Sequence, residues 1–226
     1  MKKIIILIFL IFFSNTSQAQ LNFVDIAIDY MDVDRDISEW ESGNTLNDLS
    51  GDSYGVSLGF APENNESPVV INIKYVSEQT SNSIDSMDTD QFSIELAYGS
   101  SGRNGKNVSQ AKAGYHYLNQ SIPFFDKDLN AHGLYIGYGF GFSISPQFDF
   151  AASLDFFAGE SGEDEGYITG PKGDVSLIWT LDLEQHYKLR AGYRFRRFGF
   201  SEDDTEFGER FIDDISGPFV GFRFAF

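Results

Sequence analysis

From Val24 to the end of the chain, apolar side chains recur at every second position in ten runs. The runs are 24–30, 54–60, 69–75, 92–98, 111–117, 134–142, 148–156, 175–181, 187–195 and 220–226. In the first, Val24, Ile26, Ile28 and Tyr30 alternate with Asp25, Ala27 and Asp29; in the sixth, Leu134, Ile136, Tyr138, Phe140 and Phe142 alternate with Tyr135, Gly137, Gly139 and Gly141. A period of two puts all apolar members of a run on one face of a β-strand. The opposite faces are polar or rich in glycine and alanine. Glycine makes a poor solvated strand surface, but small residues fit a cramped lumen. The apolar faces begin or end in aromatics: Tyr30, Tyr54, Tyr75, Phe92 and Tyr117 at one end, Phe60, Tyr98, Phe142, Phe148 and Phe226 at the other. Two aromatic girdles around an aliphatic band mark a bilayer. The pattern predicts an all-β fold, an up-and-down antiparallel transmembrane β-barrel of ten strands. Eight or twelve strands are the alternative counts, and a soluble lipocalin-like barrel is the alternative architecture.

The first residues follow a different rule. Lys2 and Lys3 precede an unbroken apolar run, Ile4 to Phe13, and Ser17-Gln18-Ala19 ends in small residues at the right spacing. This is the layout of a secretory signal, too short to span as a helix. Residues 1–19 are expected to be cleaved after Ala19, leaving 20–226 as a barrel domain.

The connections alternate in length. Segments 62–68, 100–107, 144–147 and 182–186 are short. Segments 32–52, 78–90, 119–131, 158–173 and 197–216 are long. The short set reads as periplasmic turns and the long set as external loops, with both chain ends on the periplasmic side.

Charge sharpens this reading. The 226 residues carry 34 acids and 16 bases, a net charge of -18, which becomes -20 without Lys2 and Lys3. With Asp174, the long segments hold 25 acids and the bases Arg35, Lys127, Lys172, Arg197 and Arg210, so they carry that entire charge. Such a chain is a poor nucleic-acid binder, because phosphate recognition is mostly Lys and Arg electrostatics. A solvated anti-aggregation surface is one reading; divalent cations bridging acids to anionic lipid is another. Asp32, Asp34 and Asp36 offer oxygens at alternate positions for a weak divalent-cation loop. They do not form an EF-hand, since Ile37 and Gly43 stand where it needs Gly and Glu. The absence of cysteine excludes disulfides and thiolate metal sites. No cofactor is implied.

The leader, the alternation and the last strand, Val220-Gly-Phe-Arg-Phe-Ala-Phe226, resemble a Gram-negative outer-membrane β-barrel protein. The resemblance covers the whole chain after the leader. It implies residence in the cell outer membrane, among lipid and lipopolysaccharide. It also implies that Val220, Phe222, Phe224 and Phe226 form the signal read by the barrel-assembly machinery. It fixes no activity.

Alternation places Asp25, Asp29, Glu95, Asp149 and Asp155 in the lumen, with Lys74, Lys112, Lys188, Arg190, Arg194, Arg196 and Arg223. The ninth strand becomes a basic stripe expected to be partly neutralised by Asp25, Asp29 and Asp155. Closure is expected to bring Asp25 and Asp29 beside Arg223. These charges suit either a plugged structural barrel or a narrow porin-like channel; cations are favoured at the mouth of a conducting one. The alternative role is adhesion or surface interaction through the external loops. A more remote one is an outer-membrane hydrolase. Ten-stranded proteases of the superfamily use Asp pairs and a His-Asp pair at the outer rim, and His132 with Asp88 and Asp90 offers part of that set. However, the fourth long segment has no histidine. Lipid A deacylases use a His and a Ser on the outward face, where none of His116, His132 and His186 is expected. His116 is expected to hydrogen-bond inside the lumen. The reading is therefore a barrel that is not an enzyme.

Overall fold

The computed structural model describes residues 21–39, 45–62, 69–83, 85–101, 107–122, 127–161, 166–182, 184, 186–201 and 210–225. The expected leader and Phe226 lie outside the described residues. Ten strands are present, each built on one predicted run: β1 (Leu21–Glu39), β2 (Thr45–Pro62), β3 (Val69–Ser81), β4 (Ser86–Ser101), β5 (Asn107–Ile122), β6 (Lys127–Ser145), β7 (Phe148–Ser161), β8 (Tyr167–Thr180), β9 (Tyr187–Ser201) and β10 (Arg210–Ala225). Each pairs antiparallel with its neighbour in sequence, and β10 closes on β1. The partner path Ile26, Leu58, Ile73, Ile94, Tyr115, Leu134, Ala158, Thr169, Gly199, Ile212 returns to β1 at Ser38, twelve residues beyond its start. The offset is even, so every side chain stays on its face. With ordinary strand rise and spacing it tilts the strands by about 40°.

In the lower part of the barrel the faces are those predicted. Ile28, Leu96, Ile136, Leu154, Leu177 and Val220 point outward and are exposed, Ile136 by 67%. A soluble barrel would hide these residues; an outward apolar band is what lipid requires. Its periplasmic edge is aromatic. Phe148 stacks on Trp179 with centroids 6.0 Å apart, Phe142 lies 5.1 Å from Phe150, and Tyr187 lies 5.0 Å from Phe224.

The outer edge of the band is a ring of tyrosines, each donating its hydroxyl to a polar group just above. Tyr30 donates to Asp52 (2.5 Å), Tyr75 to Asp90 (2.7 Å), Tyr117 to Asn130 (3.1 Å) and Tyr193 to Ser216 (2.9 Å). An apolar ring with a polar tip suits the boundary between lipid and water.

Above this ring the structure corrects the expected loops. Most of 32–52, 78–90, 119–131, 158–173 and 197–216 is strand, so β1 to β10 continue well past the bilayer. The alternation also changes phase. On β1, Ile28 and Tyr30 face out, but Met31, Val33 and Ile37 face in and are buried, while Asp32, Asp34 and Asp36 face out. β9 behaves likewise, with Tyr193 and Phe195 outside and Phe198 and Phe200 inside. The physical cause is a change of solvent: below the ring the outside is lipid, above it water. The nine residues Met31–Glu39 of β1 rise roughly 20 Å above the ring.

At the top of β2 the period of two breaks. Asp48 adopts a left-handed backbone (φ 59°), and the register against β1 shifts between Arg35 and Ile37. Aspartate tolerates this conformation, and the Asp48 amide donates to Asp36 Oδ1 at 3.0 Å. The bulge turns both Leu46 and Leu49 inward, although they are three residues apart.

Asp32, Asp34 and Asp36 thus lie along one face of a strand, not in a loop. Side chains two apart on a strand are separated by roughly 7 Å, so the three carboxylates do not converge on one ion. Among the described residues no cluster of three or more His, Asp or Glu side chains has metal-binding geometry.

Candidate functional site

The lumen holds the chemistry. At the periplasmic end Arg223 of β10 pairs with Asp25 of β1, while Asp29, also expected beside Arg223, pairs with Arg194 instead. Asp149 accepts from Ser143 at 2.7 Å, and Lys188 is half-buried at the same end.

The middle of the lumen is a set of separate pairs. Arg194 meets Asp29 at 3.0 Å, reaching it across β10. Gly221 makes this reach feasible, because a Cβ there would collide with an Asp29 carboxylate oxygen. Arg190 pairs with Asp174, and its Nε donates to Ser176 at 2.9 Å. Arg190 and Arg194 both lie over the Phe219 ring, 5.0 and 4.4 Å from its centroid. Lys112 meets Asp155 at 3.2 Å. Glu95 accepts from Asn72 and from the Tyr135 hydroxyl, each at 2.9 Å. Tyr135 crosses Gly114 to get there, where a Cβ would stand 2.7 Å from its ring.

Higher still, Arg35 grips Asp213 with two bonds, Nε at 2.7 Å and Nη2 at 2.8 Å, and donates to Thr89 at 3.0 Å. Arg196 lies between Glu78 (3.1 Å) and Asp213 (3.4 Å), and Gln91 donates to Glu78 at 2.9 Å. Burial alone would raise the Asp213 carboxyl, but Arg35 and Arg196 together hold it below the usual carboxylate range. Around this network the lumen is apolar and filled. Leu49, Met87, Leu118, Phe157, Ile168 and Phe198 are at most 1% exposed.

The alternation therefore locates Asp25, Asp29, Lys74, Glu95, Lys112, Asp155, Lys188, Arg190, Arg194, Arg196 and Arg223 on the inner face. Two expected neutralisations of the stripe are rearranged. Asp155 serves Lys112 on β5, and Asp25 serves Arg223, so in the stripe only Arg194 takes its expected partner, Asp29. Five further inward residues, Arg35, Glu78, Lys172, Asp174 and Asp213, belong to the stretches whose spacing predicts loops. The signal that points to them is the alternation itself, continuing as Met31, Val33, Arg35, Ile37 with its phase reversed.

The histidines differ from expectation. His116 is inward and buried beside Phe157, 5.1 Å between centroids, but neither ring nitrogen has a hydrogen-bond partner among the described residues. His132 is on the outward face, exposed and stacked on Tyr115, which corrects its expected placement. β5 separates it from Asp88 and Asp90 on β4, so the three form no set. His186 sits in a periplasmic turn, 3.5 Å from Asp182 and 3.3 Å from Glu184. Of the assembly signal, Val220 and Phe222 are exposed outward and Phe224 is half-buried.

No protein-family model and no curated relative matches the sequence. Solved structures do match in shape. The outer membrane protease OmpT from Escherichia coli superposes with a TM-score of 0.55 at 10% identity, covering 94% of this chain and 99% of that one. The COG4313 outer membrane channel from Pseudomonas putida F1 gives 0.47 at 8% identity, over 94% and 99%. Neisserial surface protein A gives 0.43 at 11%, over 89% and 97%. At these identities the likeness is one of fold. With its lipid-facing band, tyrosine ring and closed antiparallel sheet, the chain has the fold of the Gram-negative outer-membrane β-barrels.

Proposed function

We propose that the protein is a non-conducting structural barrel of the outer membrane that carries a rigid acidic surface above the bilayer for interaction at the cell exterior. The observation that carries this reading is the filled outer lumen, where Arg35, Leu118, Phe157, Ile168 and Phe198 lie within 1% of complete burial. A passive pore needs a continuous water path, and close-packed apolar side chains exclude one. The strand extensions give the surface its rigidity, and Asp32, Asp34, Asp36, Asp48 and Asp88 give it exposed acids. Partners of matching chemistry are basic proteins, or lipopolysaccharide phosphates bridged by divalent cations. A hydrolase finds less support: above the tyrosine ring the inward carboxylates Asp213 and Glu78 are engaged by arginines.

Planar-bilayer recording tests the seal. The wild-type barrel is expected to give no stable conductance steps at high salt, and the double variant F157A/F198A to give them. Stable open steps from the wild type would overturn this reading and restore the channel.

A further inference from the structure

Of the three histidines only His116 is buried, at 2% exposure. Its ring packs edge-on against Phe157, Phe198 and Tyr135, with centroids 5.1, 6.4 and 6.4 Å away. Phe157 and Phe198 also touch each other, at 5.4 Å, and all three rings belong to the apolar filling of the outer lumen. Neither His116 nitrogen has a hydrogen-bond partner among the described residues. A neutral imidazole left so loses the hydrogen bonds that water would give it; an imidazolium would also carry a charge with no acceptor on either N–H.

The neighbouring groups are the wrong ones for a second positive charge. Lys172 Nζ lies 4.3 Å from the centre of the Tyr135 ring, and the Arg196 guanidinium 5.1 Å from that of Phe198. Two of the three rings that touch His116 therefore also carry a base. Lys74 stands inward on the same register row, two strands away through Ser93, and all three bases are within electrostatic reach of the imidazole. The carboxylates on the surrounding strands already have partners: Glu78 has Arg196 and Gln91, Glu95 has Tyr135 and Asn72, and Asp155 has Lys112.

An open state differs. Once Phe157 and Phe198 move aside and water reaches the ring, the imidazole takes a proton with ordinary histidine affinity, at about pH 6.5. Acid therefore favours the open state, and below that pH each further unit raises the ratio of open to sealed barrels by up to about tenfold.

We propose that His116 is an acid-sensitive latch on the outer lumen: neutral, it packs within the seal; protonated, it displaces Phe157 and Phe198 and opens a water path. The proposal rests on the sealed-lumen reading and sets the condition under which that seal gives way.

Planar-bilayer recording of the refolded barrel at fixed high salt, at about pH 7 and about pH 4.5, tests this. The wild type is expected to be silent at neutral pH and to give conductance steps in acid, with the open fraction raised at least tenfold. H116F, which keeps every carboxylate but cannot take the proton, is expected to stay silent at both. If H116F does not fold, H116Q carries the same comparison. H132N/H186N, which removes the two less buried histidines, is expected to open in acid like the wild type. Silence of the wild type at both pH values would overturn the latch and leave the seal standing. Acid opening of H116F or H116Q equal to that of the wild type would also overturn it. Steps at neutral pH that grow at least tenfold in acid, in the wild type and not in H116F, would sink the sealed-lumen reading and leave the latch intact. Equal conductance at both pH values would sink both.

Discussion

Arg35 and Asp213 show what a buried charge does when its geometry is complete. Both side chains are within 1% of full burial and share two hydrogen bonds. Such a pair adds little over a well-packed apolar one, but removing one member strands the other. R35M or D213N is expected to cost about 3–5 kcal/mol in urea unfolding, and the double change R35M/D213L less than the sum of the two. The pH dependence has a definite sign. The folded carboxyl titrates below its unfolded value of about 3.9, so its stabilisation is complete above that value and is lost as pH falls through the folded pKa. The gap between wild type and D213N should therefore hold from about pH 7 to pH 5 and narrow only below about pH 4. A gap that closes near pH 6 would mean Asp213 is not held by its arginines. The inner facing of Asp29 and Arg194 was legible from alternation, whereas Arg35 and Asp213 fall in stretches whose spacing reads as loops. Arg194 finds Asp29 across an intervening strand because of the twelve-residue offset around the barrel, and no single strand encodes that offset.

At the scale of strands, the change of phase at the tyrosine ring makes orientation rules reverse with height. Below the ring, L96R or L154R on the outward face is expected to cost about 2–4 kcal/mol, and arginine at inward Ser57 or Ser153 much less. Above it the order inverts: D34R should change stability by about 0.5 kcal/mol or less, while V33R should prevent normal assembly. Unfolding from lipid vesicles measures all of these. Equal costs for L96R and D34R would remove the bilayer boundary from where the tyrosines mark it. The bulge offers a finer check. D48G is expected to be near neutral, whereas D48V, a β-branched residue forced to φ 59°, should cost about 1–3 kcal/mol. The ten strands were legible because each carries an uninterrupted period-two run. Their outer thirds were not, because Asp-rich alternation reads as loop unless the inward Met31, Val33 and Ile37 are weighed as a second, shifted run.

As a whole the molecule is two barrels on one set of strands, a membrane barrel with a polar interior and a water-facing barrel with an apolar one. The composite explains where the acids lie on the described strands: on the outer face only from the ring upward, and paired or hydrogen-bonded on the inner face. Location and architecture were legible because lipid imposes a strong, repetitive pattern. The seal was not, because it depends on residues from nine strands meeting in the outer lumen. The ion pairs that join the two ends of the chain carry a further consequence, for the fidelity of closure. Arg35–Asp213, Arg223–Asp25 and Arg194–Asp29 connect residues 178, 198 and 165 positions apart, all across the line where β1 meets the last two strands. Apolar alternation cannot distinguish the correct closure from one slipped by two residues, since both keep every side chain on its proper face. The slipped barrel would, however, separate all three pairs at once and leave buried charges alone. Only one alignment of the chain's ends satisfies them together, so the charges inspect a joint that the hydrophobic pattern leaves unchecked.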